Sequence, residues 1–185
     1  VPVVSRLLMA AGRKVFLKRR DVWGNYSAYA REKKRALKNA LLAQAYRLSV
    51  WTDYLPQVFS KIETPLLFGK TMVCDRYVFD TVVSDLGAHL EYDVDDIRLS
   101  LAAIFRLLPE PDMAFLVDLP EEVALGRKDD VPHLDYLRER RQLYLLTAQL
   151  YPMFQLDGME SPEVLVDQVL AELARRPERS GRLSG

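Results

Sequence analysis

Four short apolar runs, each followed by a charged residue and separated by helical stretches, most constrain the fold of this 185-residue chain. Apolar runs of this length fit strands that are buried on both faces of a parallel sheet. Their alternation with helices implies crossover units. The sequence therefore predicts an α/β protein with a doubly wound parallel sheet and helices on both faces. The four runs are Lys14–Lys18, Leu66–Cys74, Met113–Val117 and Met153–Leu156.

Helical patterns fill the intervals between these runs. Pro56 marks a kink or a start inside the first of them, and Pro120 and Ser161 stand where a helix should begin. Residues 129–133 should break a helix, and residues 177–185 form a polar tail that we expect to be flexible. At this length the chain should be one domain, spanning residues 1–176. The expected helices cover residues 26–62 in two pieces, 77–89, 94–108, a stretch after Pro120, 134–150 and a stretch after Ser161.

Composition excludes several classes of protein. No apolar run approaches the length of a membrane span, and the first residues lack a signal-peptide layout. The lone cysteine, Cys74, suits a reducing cytoplasm and should be a small core residue within its strand. His89 and His133 have no partners at metal-ligand spacing, which argues against zinc. Residues 1–70 hold 14 Lys and Arg against 4 Asp and Glu, yet no nucleic-acid-binding signature accompanies them. The basic run 31–38 is typical of a solvated helix face.

The ends of the predicted strands are the expected ligand positions, because ligands of doubly wound sheets bind at the carboxyl ends of strands. An apolar strand that delivers Asp75 to its tip is a common way to hold magnesium. The adjacent Arg76 could bind a phosphate through both guanidinium nitrogens. A capped strand end without function explains the same two residues, so the pair is weak evidence when taken alone.

Segments along the chain resemble thymidylate kinases in the order in which that family carries them. The Asp75-Arg76-Tyr77 sequence resembles the Asp-Arg-Tyr motif of the family, and four flanking segments are also similar. These are 12–19, like the second strand; 111–127, like the fourth strand and the helix into the lid; 134–151, like the helix after the lid; and 156–158, like the adenine-side strand and loop.

The resemblance implies a P-loop kinase fold and transfer of a phosphoryl group from ATP to a nucleoside monophosphate, dTMP or a related nucleotide. It implies Mg²⁺ as a cofactor, a mobile lid near residues 127–141, and a homodimer. The roles implied by the resemblance are Asp75 for the metal; Arg19, Arg47, Trp51, Arg76 and Ser84 for the acceptor; Arg127 and Asp157 for ATP; and Arg76, Arg127, Arg138 and Arg141 for catalysis. A surface ion pair with Asp135 or Glu139 is the alternative for each lid arginine.

The chain departs from the family pattern at two places. No G-x-x-x-x-G-K-[ST] loop occurs in it. Because Val1 falls where that loop would end, we expect the loop and the first strand in the natural protein upstream of Val1. Arg47 and Trp51 reverse the order of the base-reading pair of the family, and Trp51 could equally be a core residue. Asp80 and Asp85 stand where the family has other residues, so dTMP itself is an open choice.

Two alternatives to a monophosphate kinase follow from these departures. One is a deoxynucleoside kinase, whose acceptor has no phosphate. The other is a catalytically inactive kinase-like module that binds a nucleotide or a partner protein. A lysine-bearing loop upstream of Val1 distinguishes the kinases from the inactive module. The pair Arg19 and Arg76 favours a phosphorylated acceptor.

Overall fold

The computed structural model describes residues 26–127 and 133–175. Within them the protein is mostly helical, with one parallel sheet of two strands. The α-helices are α1 Tyr26–Leu37, α2 Ala40–Val58, α3 Thr64–Leu67, α4 Val78–Asp80, α5 Ala88–Leu90, α6 Val94–Ile104, α7 Glu121–Arg127, α8 Leu134–Leu150 and α9 Pro162–Arg175. The π-helical segments are π1 Phe59–Glu63 and π2 Thr81–Gly87, and the strands are β1 Phe115–Asp118 and β2 Phe154–Asp157.

Local capping explains where several helices begin. The Asn39 side chain accepts hydrogen bonds from two backbone amides at the start of α2. Asp93 and Asp96 form a reciprocal capping box at the start of α6. Before α7, the Pro120 carbonyl accepts from the amides of the first turn. The expected capping role of Ser161 at α9 is confirmed by its contact with the Val164 amide at 3.4 Å.

The core lies between α2, the helical segment Val78–Leu90, α6 and α8. In α6 the side chains of Ile97, Leu101 and Ile104 recur at a spacing of three to four residues and are all buried. Val82 and Leu86 of π2 are fully buried against them. This helical core fixes the position of residues 76–84, which the sequence placed at the centre of the site.

The two strands pair in parallel and in register, with Phe115 opposite Phe154 and Asp118 opposite Asp157. The two phenylalanine rings stack with centroids 5.4 Å apart. Helices α7 and α8 lie on the connection between the strands, as a parallel pairing requires. The expected strands at 113–117 and 153–156 are therefore confirmed with small shifts of their ends. The sheet brings Asp118 and Asp157 side by side at its carboxyl edge.

The expected strand over Leu66–Cys74 is wrong. Pro65 lies in the first turn of α3, which runs to Leu67, and residues 68–77 form no strand. Val73 is 93% exposed and Cys74 is also exposed, so the expected core role of Cys74 is wrong as well. A strand needs hydrogen-bonded neighbours, and among the described residues this segment has none. The expected neighbouring strand at 14–18, with Arg19, lies outside the described residues.

The expected helices within the described residues are confirmed, except that α6 ends at Ile104 and not at 108. The helix at Leu134–Leu150 has the bounds that the sequence predicts. Pro56 lies inside α2, which passes directly into the π-helical turn Phe59–Glu63. The helix break at 129–133 falls largely outside the described residues, and His133 caps α8. Among the helices described, none combines the length and apolarity needed to cross a membrane.

Candidate functional site

Arg76 has a left-handed backbone with φ of 61°. This conformation is strained for a residue with a Cβ atom, and such strain collects at functional sites. The Arg76 side chain is 63% exposed, and its Nη1 atom lies 3.8 Å from the Asp80 carboxylate. The guanidinium therefore stands at the surface, held loosely from one side, with N–H groups available to an anion.

Three side chains contact the Asp80 carboxylate. Its Oδ1 atom accepts a hydrogen bond from the Tyr144 hydroxyl and one from the Ser84 hydroxyl at 3.2 Å. Asp80 ends α4, Ser84 lies one turn later in π2, and Tyr144 reaches across from α8. Burial, followed by the hydrogen bond to Asp80, raises the pKa of Tyr144, so its hydroxyl stays protonated and donates. The cluster links the Arg76 region to α8.

The expected acceptor residues Arg47 and Trp51 lie one turn apart on α2, as predicted. Trp51 is half-buried against the core and meets Tyr54 edge-on, with ring centroids 6.0 Å apart. Arg47 donates from Nε to the Tyr92 hydroxyl at 3.0 Å and lies over the Tyr92 ring. Both side chains therefore already have protein partners, and the core role weighed for Trp51 is the one that its packing supports.

Asp75, the expected metal ligand, is exposed in the bend before Arg76. Nowhere in the described ranges do three or more His, Cys, Asp or Glu side chains cluster as a metal site. Mg²⁺ commonly binds through one or two carboxylates, with waters and substrate phosphates filling the remaining positions. A single accessible carboxylate fits that mode of binding, whereas a site built from protein ligands alone does not fit.

A second charged cluster lies where β1 ends. Arg141 of α8 donates from Nε and Nη2 to the two Asp118 carboxylate oxygens, at 2.7 and 2.9 Å. Its Nη1 atom donates to Glu121 at 2.7 Å. Arg138, one turn earlier, pairs with Asp135 at 3.1 Å and with Glu121 at 3.4 Å. The arginines expected in the lid are thus joined to β1 and α7 through carboxylates, and the ion-pair alternative involving Asp135 is present for Arg138.

The third group of expected residues lies where β2 ends. Arg127 donates from Nη1 to the Gly158 carbonyl at 3.0 Å, and Asp157 accepts from the Met159 amide. The Gly158 amide donates to the Asp118 carbonyl at 2.7 Å, and a Cβ atom at Gly158 would lie 2.8 Å from that oxygen. Glycine is therefore required for the close approach of the two strand ends. Arg127, Asp157 and the Asp118 cluster share one edge of the sheet.

Replacing Arg141 with methionine should destabilise the protein in a pH-dependent way. The hydrogen bonds from Arg141 lower the pKa of Asp118. A carboxylate with a lowered folded-state pKa adds stability above its ordinary pKa, and this stability is lost as the pH falls through the folded value. We expect the variant to lose about 1–3 kcal/mol at pH 7, as for hydrogen bonds to charged groups. The difference should shrink between about pH 4 and pH 2.

Urea denaturation of both proteins at a series of pH values measures that difference. Arg98→Met serves as a control, because Arg98 makes an exposed ion pair with Asp95 on α6 and should matter little. A destabilisation by Arg141→Met that stays constant down to pH 2 would contradict the ionic origin of the effect.

A partly buried polar cluster between α1, α2 and the segment Val78–Leu90 was not foreseen from the sequence. Lys33 donates to the Tyr46 hydroxyl at 3.2 Å, and Tyr46 donates to the Asp85 carbonyl at 2.7 Å. Burial lowers the pKa of Lys33 to about 8 and that of His89 to about 3. His89 is therefore neutral at pH 7. These contacts fasten the basic helix α1 to the core, so part of its charged face is not solvated as expected.

Tyr144 is the site residue that the sequence missed. The sequence did contain a signal for Tyr144, because this residue lies three positions after Arg141 and hence on the same face of α8. What the sequence could not indicate is the partner, since Asp80 is 64 residues away along the chain. In the sequence, Asp80 was noted only because thymidylate kinases have a different residue at that position.

Comparison with curated proteins supports the resemblance that the order of the motifs indicated. The chain is 28% identical to the thymidylate kinase of Chlamydia muridarum, over 92% of its own length and 89% of that protein. It is 25% identical to the enzyme of Latilactobacillus sakei, over 94% of its length and 86% of that protein. Identity to the Exiguobacterium enzyme is 31%, and that match spans 61% of the chain and 57% of the relative. No family model matches the chain, and no solved structure matches it significantly. These relatives support a thymidylate kinase-like family and nucleotide kinase activity for the chain.

Proposed function

We propose that this protein transfers a phosphoryl group from ATP to a nucleoside monophosphate, dTMP or a related nucleotide. The observation that carries the proposal is Arg76, whose guanidinium is exposed on a strained left-handed backbone. The full-length similarity to thymidylate kinases supports the same reaction. An exposed arginine held from one side is suited to bind a phosphate with paired hydrogen bonds.

The residue roles in this proposal come from the resemblance to thymidylate kinases. In the proposal, Arg76 and Arg19 hold the acceptor phosphate, while Arg47, Trp51 and Ser84 border the nucleoside. Phosphoryl transfer depends on in-line positioning and on cations placed where negative charge collects. Mg²⁺, when bound, would neutralise phosphate charge, and Asp75 is the carboxylate that would hold it. Arg127 and Asp157, which are close to each other at the sheet edge, would border ATP.

The lid arginines divide into two roles in this proposal. Arg141 is engaged by both Asp118 and Glu121, so it would orient the base of the lid. Arg138 is 43% exposed and makes longer contacts, so it is the better candidate to reach a transferring phosphate. Arg127 would act with Arg138 when a lid spanning residues 127–141 closes. Closure would also keep water from the reacting phosphate.

The proposal extends to the architecture that the resemblance implies. It includes a single domain over residues 1–176 with a tail at 177–185, and a doubly wound sheet that continues the two described strands. It also includes a cytoplasmic location, a homodimer, and no binding of long nucleic acid.

A panel of acceptors tests the reaction. The full natural protein is incubated with ATP, Mg²⁺ and, in separate reactions, each deoxynucleoside monophosphate and each deoxynucleoside, and ADP release is followed with a coupled assay. Turnover of at least one monophosphate, with dTMP or a close analogue preferred, is the expected result. Turnover of nucleosides alone would identify a deoxynucleoside kinase and overturn the proposal. Nucleotide binding without any turnover would identify an inactive kinase-like module.

A further inference from the structure

The Asp80 carboxylate connects Arg76 to helix α8. Arg76 lies 3.8 Å from Asp80 Oδ1, too far for a strong hydrogen bond, so its N–H groups are left to donate elsewhere. The same Oδ1 atom accepts from Tyr144 and from Ser84. Two hydroxyl donors therefore fix the carboxylate that faces the exposed guanidinium.

Helix α8 also contacts the edge of the sheet. Tyr144 and Arg141 lie one turn apart on α8, and Arg141 binds both oxygens of Asp118. Helix α8 is thus held at Asp118 through Arg141 and at Asp80 through Tyr144. Any displacement of α8 would be transmitted to the Asp80 carboxylate through the Tyr144 hydroxyl.

We propose that Tyr144 is a positioning residue that orients Arg76 toward the acceptor phosphate by holding the Asp80 carboxylate in place. This inference rests on the proposed function, because it assigns the acceptor phosphate to Arg76. It adds a residue from α8 to the acceptor side of the site and joins that side to the arginines of the lid.

The hydroxyl of Tyr144 can be removed without changing any charge. Tyr144→Phe keeps the aromatic ring and leaves the Asp80 side chain in place, so it separates positioning from simple electrostatic repulsion between Asp80 and a phosphate. Without the hydroxyl the carboxylate gains freedom to rotate, and the guanidinium loses its fixed counter-charge. The Arg76 side chain would then sample more rotamers, because an arginine side chain has many of them.

The readout is the preference for a phosphorylated ligand, which a general structural defect would not change selectively. Affinities of the full natural protein for dTMP and for thymidine are measured by calorimetry, and their ratio gives the contribution of the phosphate. We expect Tyr144→Phe to lower this ratio by at least about threefold, as expected for a weakened charge-assisted contact. Because Tyr144 acts through Asp80, the same substitution in an Asp80→Asn background should leave the ratio unchanged.

Tyr46→Phe is the matched control. It also removes a tyrosine hydroxyl that hydrogen-bonds within the protein, but its partners are Lys33 and the Asp85 carbonyl instead of Asp80. The ratio should stay at the wild-type value in that variant. Thermal unfolding monitors the fold of every variant, and the volume-conserving Tyr→Phe changes are the ones that should fold most readily.

Four outcomes would overturn this inference, and two of them leave the proposed function intact. An unchanged ratio in Tyr144→Phe, or an equal loss in both backgrounds, would overturn the positioning role while the kinase proposal stands. A wild-type protein without preference for dTMP over thymidine would overturn both. So would an Arg76→Ala variant that keeps the full preference, since Arg76 would then not hold the phosphate.

Discussion

Arg76→Ala should lower kcat/KM for the monophosphate acceptor by about a hundredfold or more while the protein stays folded. The guanidinium is an exposed cation of the candidate site, and in the proposed function it would act where negative charge concentrates during transfer. Its removal should cost little stability, because the side chain is 63% exposed and its ion pair with Asp80 is 3.8 Å long. Steady-state kinetics with varied acceptor and fixed ATP measure the effect.

The control for that loss is Arg98→Ala. The Arg98 side chain is 60% exposed, nearly the same as that of Arg76, and it makes an exposed ion pair with Asp95 on α6. Removing it takes away one positive charge at a place remote from the Asp80 cluster. Equal rates for both variants and the wild type would remove Arg76 from the mechanism, whereas equal losses would point to net charge alone.

Leu101→Ala should destabilise the protein by about 2–5 kcal/mol, the range for truncating a buried leucine. Leu101 is 5% exposed and belongs to the core cluster that includes Val78, Leu86 and Ile97. Truncation removes apolar contacts and leaves a cavity that a helical core can close only in part. A loss of this size is a large share of the stability of an ordinary domain. Urea denaturation at 25 °C measures it.

Leu99→Ala on the same helix provides the comparison. Leu99 is 67% exposed, so the same truncation two residues away should change the free energy of unfolding by no more than about 0.5 kcal/mol. The two substitutions remove the same atoms from one helix, and the two positions differ in burial alone. A cost for Leu99→Ala as large as that for Leu101→Ala would contradict the placement of the core on this face of α6.

Local sequence signals predicted the helices well because their causes are local. The bounds of α8 at Leu134 and Leu150 follow from helical periodicity, and the start of α9 follows from Ser161 and Pro162. Strand β1 and strand β2 could also be located, since a short apolar run before an aspartate marks both. In the helices the stabilising hydrogen bonds join residues that lie within a few positions of each other. Each strand ends at an aspartate directly after its apolar run.

The segment Leu66–Cys74 shows where such signals fail. Its apolar residues fit a buried strand, but a strand is stable only when a neighbour pairs with it. In the described structure the segment starts as helix α3 and then continues as exposed chain. Cys74 is exposed for the same reason. Apolar pattern alone cannot specify whether the pairing partner is in place.

By itself the sequence determined most of the described helices, the strand ends that deliver Asp118 and Asp157, and the Asp75-Arg76-Tyr77 motif that marks the candidate site. Only the tertiary structure decided which arginines have their charge already satisfied. Arg141 meets Asp118 across 23 residues and Tyr144 meets Asp80 across 64, while Arg76 stays exposed. The physical reason is that ion pairs and hydrogen bonds depend on distances of about 3 Å in space, which separation along the chain does not encode.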